Sequence, residues 1–379
     1  MVSLLPPPPS AAQEVSELEV NSKRYIVVDA DTGQVFAQKG ANDQVAIASL
    51  TKVFTAILAI ESASLDTEIT TQNADVFGSS STTMGFGSGE TFTLEELLYG
   101  MMLPSGNDAA HAIARHLGQQ PGDSPDDAVA RFMERLNQRI QDMGLRNTRL
   151  VNPHGWGVPG HFSSAWDVAA FMRFALQYPA FVEAMGTTTY STQDGAYNLS
   201  NTNKLLRTYD GLVGGKTGYD DDAGWCLVEV ARRDGSTMIS VTLDGIAPDD
   251  WYDDNRVLLD YAFEQKANGN ERLRSGGERV TFLDPDAAVI ARESEADAKF
   301  FAPQAESAVS AESSQRAALQ PERSSGSSAP PFGGTALWIA AVTTAAILGV
   351  RGTGVYRERR QDSPRPLPPV DGSDPTPVC

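Results

Sequence analysis

At 379 residues the chain has room for one large domain with appendages, and a 41% hydrophobic share is that of a globular core. A formal charge of −19 leaves no basic stripe to meet phosphates, which argues against nucleic-acid binding. The two cysteines, Cys226 and Cys379, do not make a disulfide framework, and Cys226 sits in an apolar strand pattern that assigns it to the core.

In chain order, residues 1–20 are rich in Pro, Ala, Ser and Glu and read as a disordered segment. Arg24 to Lys39 predicts a hairpin, with Tyr25–Val28 and Gln34–Ala37 around Asp29-Ala30-Asp31-Thr32-Gly33. Ser49 to Ala63 is an apolar helical stretch, and residues 75–90 are a Gly/Ser/Thr-rich loop. Thr93 to Gly118 reads as helix broken at Pro104-Ser105-Gly106. Asp126 to Gly144 is amphipathic, with Val129, Phe132, Met133, Leu136 and Ile140 on one face. Phe162 to Tyr178 is a further helix, N-capped by Ser163 or Ser164. Strand pairs are predicted at Tyr190–Asn198 and at Cys226–Leu243, the latter turning at Arg233-Asp234-Gly235-Ser236, and Tyr252 to Ala267 closes the domain as a helix. Strands at both ends with helices between them predict an α+β fold, one sheet assembled from N- and C-terminal parts around a helical insert.

Three short motifs carry chemistry: Ser49-Leu50-Thr51-Lys52, Ser105-Gly106-Asn107 and Lys216-Thr217-Gly218. Positions i and i+3 share a helix face, so Ser49 Oγ and Lys52 Nζ can meet, a nucleophile and a base without a histidine. Lysine acts as a base only when its pKa is lowered, which partial burial and a neighbouring cation such as Lys216 would do. Ser49 at a helix start offers its backbone N–H to an oxyanion, and the N–H of Tyr219 is the expected second donor. Gly218 lets a substrate backbone approach the strand edge. His111, His116, His154 and His161 lack metal-ligand spacing and are read as packing or structural residues, and neither a metal nor a cofactor is expected. Asp220-Asp221-Asp222 and Asp249-Asp250 are read as solvated faces.

From about Tyr25 to Phe263 the chain resembles the D-alanyl-D-alanine carboxypeptidases, low-molecular-mass penicillin-binding proteins of serine peptidase family S11. The resemblance rests on Ile47-Ala48-Ser49-Leu50-Thr51-Lys52, Leu103-Pro104-Ser105-Gly106-Asn107-Asp108-Ala109-Ala110 and Gly215-Lys216-Thr217-Gly218. It extends to Asn152-Pro153-His154-Gly155, Pro159-Gly160-His161-Phe162-Ser163, Asn201-Thr202-Asn203-Lys204-Leu205-Leu206 and Leu258-Leu259-Asp260-Tyr261-Ala262-Phe263. It implies the serine β-lactamase/DD-peptidase-like fold, an antiparallel sheet flanked by helices. It also implies removal of the terminal D-alanine from peptidoglycan stem peptides, with β-lactams as covalent inhibitors. By motif, Ser49 would be the nucleophile, Lys52 the general base, Ser105 the relay to the leaving amine, and Asn107 a substrate contact that orients Lys52. Lys216 and Thr217 would hold the substrate carboxylate, with Gly218 and Tyr219 on the strand edge. Some members carry an arginine before the closing helix, where this chain reads Pro248-Asp249-Asp250-Trp251-Tyr252.

Two alternatives compete. A class A-like β-lactamase needs a Glu-x-x-Leu-Asn glutamate; Glu134-Arg135-Leu136-Asn137 is one residue short and lies in a helix pattern. A non-catalytic peptidoglycan-binding protein would keep the cleft without the chemistry. The expected organisation is a catalytic domain over 21–268, a strand-like and Ser/Ala/Pro-rich stretch over 269–331, a transmembrane helix over 332–350 and a cytoplasmic tail over 351–379. The span carries no charge and is followed by Arg351, Arg357, Arg359 and Arg360, which places the catalytic domain outside the membrane. Residues 1–9 lack the basic and apolar regions of a signal sequence, so the true signal is expected to be missing or truncated here.

Overall fold

A computed structural model describes residues 18–246, 250–269 and 278–284. Strand β1 (Arg24–Asp29) turns through Gly33, in the left-handed region, into β2 (Val35–Lys39). A single 3-10 turn, Ala48–Leu50, leads into α1 (Thr51–Ser62), and every residue from Thr51 to Ala59 is buried. A helix apolar on all sides belongs inside the molecule. Phe54 of α1 stacks on Phe171, ring centroids 4.1 Å apart.

The short ribbon β3 (Glu68–Thr70) and β4 (Thr91–Thr93) brackets the predicted loop. Thr93 and Glu96 form a capping box that starts α2 (Leu94–Met102). The break at Pro104-Ser105-Gly106 is present, and α3 (Asn107–Gly118) follows. A second capping box, Ser124 with Asp127, and Pro125 in the first turn start α4 (Pro125–Asp142), which buries Phe132, Met133, Leu136 and Ile140. Ser164 caps α5 (Ala165–Ala175) through the Asp167 N–H. Helix α6 (Pro179–Gly186) lacked a sequence prediction; it is too short to show a period. It precedes the ribbon β5 (Thr189–Ser191) and β6 (Asn198–Ser200).

Strands β7 (Leu212–Asp220), β8 (Gly224–Arg233) and β9 (Ser236–Gly245) complete an antiparallel sheet in the order β2-β1-β9-β8-β7. The β8–β9 turn puts Asp234 and Gly235 at positive φ, the mirror-image turn that matches strand twist. Helix α7 (Asp250–Ala267) covers one face, with Trp251, Leu258, Leu259 and Ala262 against Val27, Leu227 and Met238. The larger core lies on the other face, beneath α1 and α5. The sheet thus joins N-terminal strands to C-terminal ones around the helical insert. Its edge strand β7 carries Lys216-Thr217-Gly218 on an open side.

Residues 278–284, placed by sequence beyond the catalytic domain, pack on it. Val280 is fully buried, its N–H donates to Gly33 O (2.8 Å), and Glu278 O accepts from Val35 N–H (3.1 Å). A Cβ on Gly33 would stand 2.3 Å from Val280 O. These two hydrogen bonds and the buried valine attach the segment, which lies beyond the expected boundary at 268, to β2 and to the turn before it. Of the expected stretch 269–331 only residues 269 and 278–284 are described, and the expected segments 332–350 and 351–379, together with residues 1–17, lie outside the described residues. Among the described residues no helix is long and apolar enough to cross a membrane.

Candidate active site

The 3-10 turn holds Ser49, partly exposed, at the mouth of a cleft of about 550 Å³ lined by Asn107, Thr82, Trp156 and Tyr219 among others. One turn on, Lys52 is fully buried. Its Nζ lies 2.7 Å from Ser49 Oγ, 2.7 Å from Asn107 Oδ1 and 2.8 Å from the His154 carbonyl. Burial and then the Lys216 charge hold the amine well below the ordinary lysine range, against an opposing pull from Asp108. The three partners dictate what happens on losing a proton. Asn107 Oδ1 and His154 O can only accept, so a neutral amine keeps two N–H bonds for them. Its lone pair then faces Ser49, the one partner with a proton to give.

Ser105 sits at φ +62°, left-handed for a residue with a side chain, and its Oγ accepts from Lys216 Nζ at 2.9 Å. The strain is held from both sides: Thr82 Oγ1 donates to Ser105 O (2.7 Å), and Gly106 N–H to Gly100 O (3.0 Å). Asp108, the next acidic residue, accepts from the Met84 and Gly85 N–H groups and pulls the 78–87 loop onto the start of α3. That places Ser81 Oγ where Asn107 Nδ2 donates to it, 2.7 Å away.

Lys216 is also buried, with its second contact to Thr217 O at 2.9 Å, and burial lowers its pKa to about 7. Its charge therefore reaches the cleft through Ser105 rather than by direct exposure. The Thr217 hydroxyl is 2.7 Å from Thr202 Oγ1, a partner whose role sequence reasoning missed although its segment stood out. Gly218 lies against the nucleophile turn: a Cβ there would be 3.0 Å from Ser49 N and 3.1 Å from Ile47 O. Tyr219, half exposed, stands at the cleft edge beside Trp225, ring centroids 4.2 Å apart.

Of the eight residues singled out from sequence, Ser49, Asn107 and Tyr219 line the cleft, Lys52 bonds the first two, Gly218 lies against Ser49, and Lys216, bonded to Ser105 and Thr217, is close enough for Lys52 to feel its charge. Asp220, Asp221 and Asp222 line it too, so the solvated face they form, with Asp221 and Asp222 exposed, is a wall of the site. Glu134 is exposed on α4 and lines a different groove, and among the described residues no glutamate lines the cleft. His111 bonds Asp75 (2.8 Å), whereas His154 and His161 each touch the site, the first by its carbonyl and the second through Thr51. Pro248 and Asp249 lie outside the described residues.

The sequence and the fold are similar to those of known proteins. The family model described as D-alanyl-D-alanine carboxypeptidase, peptidase S11, matches residues 11–247. D-alanyl-D-alanine carboxypeptidase DacF of Bacillus subtilis is 31% identical over 262 residues, covering 67% of this chain and 65% of that protein. DacB2 of Mycobacterium tuberculosis is 30% identical over 249 residues, 64% of this chain and 82% of its own. The crystal structure of the Streptomyces K15 DD-transpeptidase superposes with a TM-score of 0.62 at 28% identity, over 66% of this chain and all of that one.

Proposed function

The chain belongs to the D-alanyl-D-alanine carboxypeptidase family of serine peptidases, and from that premise we propose that it hydrolyses the terminal D-alanine from peptidoglycan stem peptides through an acyl-enzyme on Ser49. The observation that carries this reading is Lys52: buried, cation-flanked, and 2.7 Å from Ser49 Oγ.

In this mechanism neutral Lys52 accepts the Ser49 proton as Oγ attacks the carbonyl of the penultimate D-alanine. The Ser49 and Tyr219 N–H groups receive the developing oxyanion. Ser105 Oγ gives its proton to the amine of the departing D-alanine and is refilled with the proton Lys52 took from Ser49, so the C–N bond breaks with Lys52 neutral again. Water then attacks the ester carbonyl, gives its proton to Lys52, and Ser49 leaves with a proton restored. Thr217 Oγ1 contacts the substrate carboxylate while Lys216 supplies the field behind it. Asn107 holds Lys52 in line through Oδ1. β-Lactams would enter the same path and stop at the ester.

The test is D-alanine release from a synthetic peptide ending in D-Ala-D-Ala, with Ser49→Ala beside the parent. Release by the parent alone supports the reading; no release from the folded parent removes it. The uncharged stretch 332–350 and the arginines after it support a membrane anchor with the catalytic domain outside. Protease digestion of intact cells that spares the catalytic domain would remove that placement.

A further inference from the structure

The peptide between Ala48 and Ser49 carries the N–H assigned above to the oxyanion, and the backbone is strained there. Ala48 has φ +45°, a left-handed conformation that costs a residue with a Cβ about 1–3 kcal/mol and persists only where surroundings impose it. The N–H groups of a helix's first turn have no partner within the helix, so the Ser49 N–H takes its direction from the carbonyl of the same peptide, Ala48 O, which the Thr51 N–H contacts within the turn.

The other end of that peptide is held. Ala48 O accepts from Thr51 Oγ1 at 2.9 Å. The hydroxyl has one proton, and it goes to the carbonyl, which can only accept. Thr51 Oγ1 is also 2.8 Å from His161 Nε2, so the ring must be the donor in that bond. The other ring nitrogen, Nδ1, accepts from the Val151 N–H at 3.1 Å. The two bonds demand the same neutral tautomer, protonated on Nε2. His161 is 5% exposed, and burial lowers its pKa to about 4, which keeps the ring neutral at ordinary pH. The result is a continuous chain of donors, Val151 N–H to His161, His161 to Thr51, Thr51 to Ala48 O.

Gly155 lies against the same carbonyl and the Thr51 hydroxyl. It has φ +90°, and a Cβ there would stand 1.8 Å from Ala48 O. The carbonyl is thus held by the Thr51 hydroxyl and N–H, against a backbone that only glycine allows to come so close. A peptide is planar, so fixing its C=O direction fixes its N–H in the opposite sense.

We infer that His161 and Thr51 are positioning residues for acylation: their hydrogen-bond chain to Ala48 O aims the Ser49 N–H at the reacting carbonyl. This rests on Ser49 being the acylated residue. Neither side chain touches substrate; each acts through the peptide.

The full chain and its variants are labelled with excess fluorescent penicillin. The endpoint counts competent serines, and the labelling rate is taken per competent serine. Thr51→Val and His161→Leu are expected to slow acylation by about ten- to a hundredfold per competent serine, below the loss of an oxyanion donor outright. Thr51→Ser, which keeps the hydroxyl, recovers most of the rate, and His161→Gln, which keeps a donor near Nε2, recovers part of it. D-Alanine release loses kcat with KM unchanged. The double variant Thr51→Val/His161→Leu slows no further than Thr51→Val alone, because both act on one carbonyl. A purely structural role would lower the endpoint and the Tm but leave the rate per competent serine at the parent's value; that result, or single losses that multiply, overturns the inference. A parent chain that takes no label on Ser49 overturns the functional reading itself, a different failure.

Discussion

Lys216 Nζ lies 2.9 Å from Ser105 Oγ across 111 positions of sequence, so an edge strand and the turn before a helix share one proton path. The same contact puts a second buried lysine near Lys52, whose amine feels its charge. Two lysines with lowered pKa values therefore sit one serine apart from each other's work, and only one can carry charge while the other acts as a base.

That division sets the pH dependence. Acylation needs Lys52 neutral, so kcat/KM rises as pH rises through its lowered pKa. It needs Lys216 charged to draw a carboxylate, so kcat/KM falls again above about pH 7. A bell-shaped profile is expected, and Lys216→Arg should push the alkaline limb upward because guanidinium stays charged. A profile whose alkaline limb is unmoved by Lys216→Arg would detach that limb from Lys216.

Burial of Lys216 also enters stability. Its pKa is about 7 in the fold against 10.5 in the open chain, so between these values the unfolded state binds more protons. Its penalty is full below pH 7 and shrinks as pH rises towards 10.5. Lys216→Met is expected to be more stable relative to the parent at pH 6.5 (a value chosen to lie below that of about 7) than at about pH 10. Thermal melts of both proteins at the two pH values check this; an equal gap at both would contradict it.

Asn107 accepts from Lys52 at 2.7 Å with a neutral amide. Asn107→Asp places a carboxylate there and favours the ammonium. The acid limb of acylation should move up by about one unit or more, with slower labelling near neutrality. Labelling across pH reads this, and an unmoved limb would mean Lys52 is not the base.

Glu229 is fully buried on β8, where Asn203 Nδ2 donates to it at 2.9 Å, and burial raises its pKa well above the ordinary 4.5. The folded state therefore binds the extra proton: the favourable term is complete below 4.5 and lost as pH rises through the folded pKa. Glu229→Gln removes the titration, so its Tm should gain on the parent's as pH rises from 5 to 8, a window chosen above the unfolded value of about 4.5. A constant difference across that range would argue that Glu229 does not titrate there.

The attachment of residues 278–284 can be tested by truncation. A chain ending after residue 277 loses buried Val280 and its bond to Gly33. Its Tm should fall below that of a chain ending after residue 300, by about 2 °C for each kcal/mol lost. Equal melting temperatures would show the segment to be dispensable.

Much of this molecule is written locally. The Ser49-to-Lys52 spacing places both groups on one helix face, and capping residues such as Ser164 mark where helices start, since those signals act within a few residues. The Arg233-to-Ser236 turn and the strand patterns around it likewise depend only on local backbone preference and side-chain alternation. Tertiary structure alone decided what lies far apart in sequence. It set Thr202 against Thr217, buried Lys216 behind Ser105, turned Asp220–Asp222 into a cleft wall, and drew His161 to Thr51. A lowered pKa and a clamped peptide are products of desolvation and packing, and these exist only once distant segments have excluded water from between them.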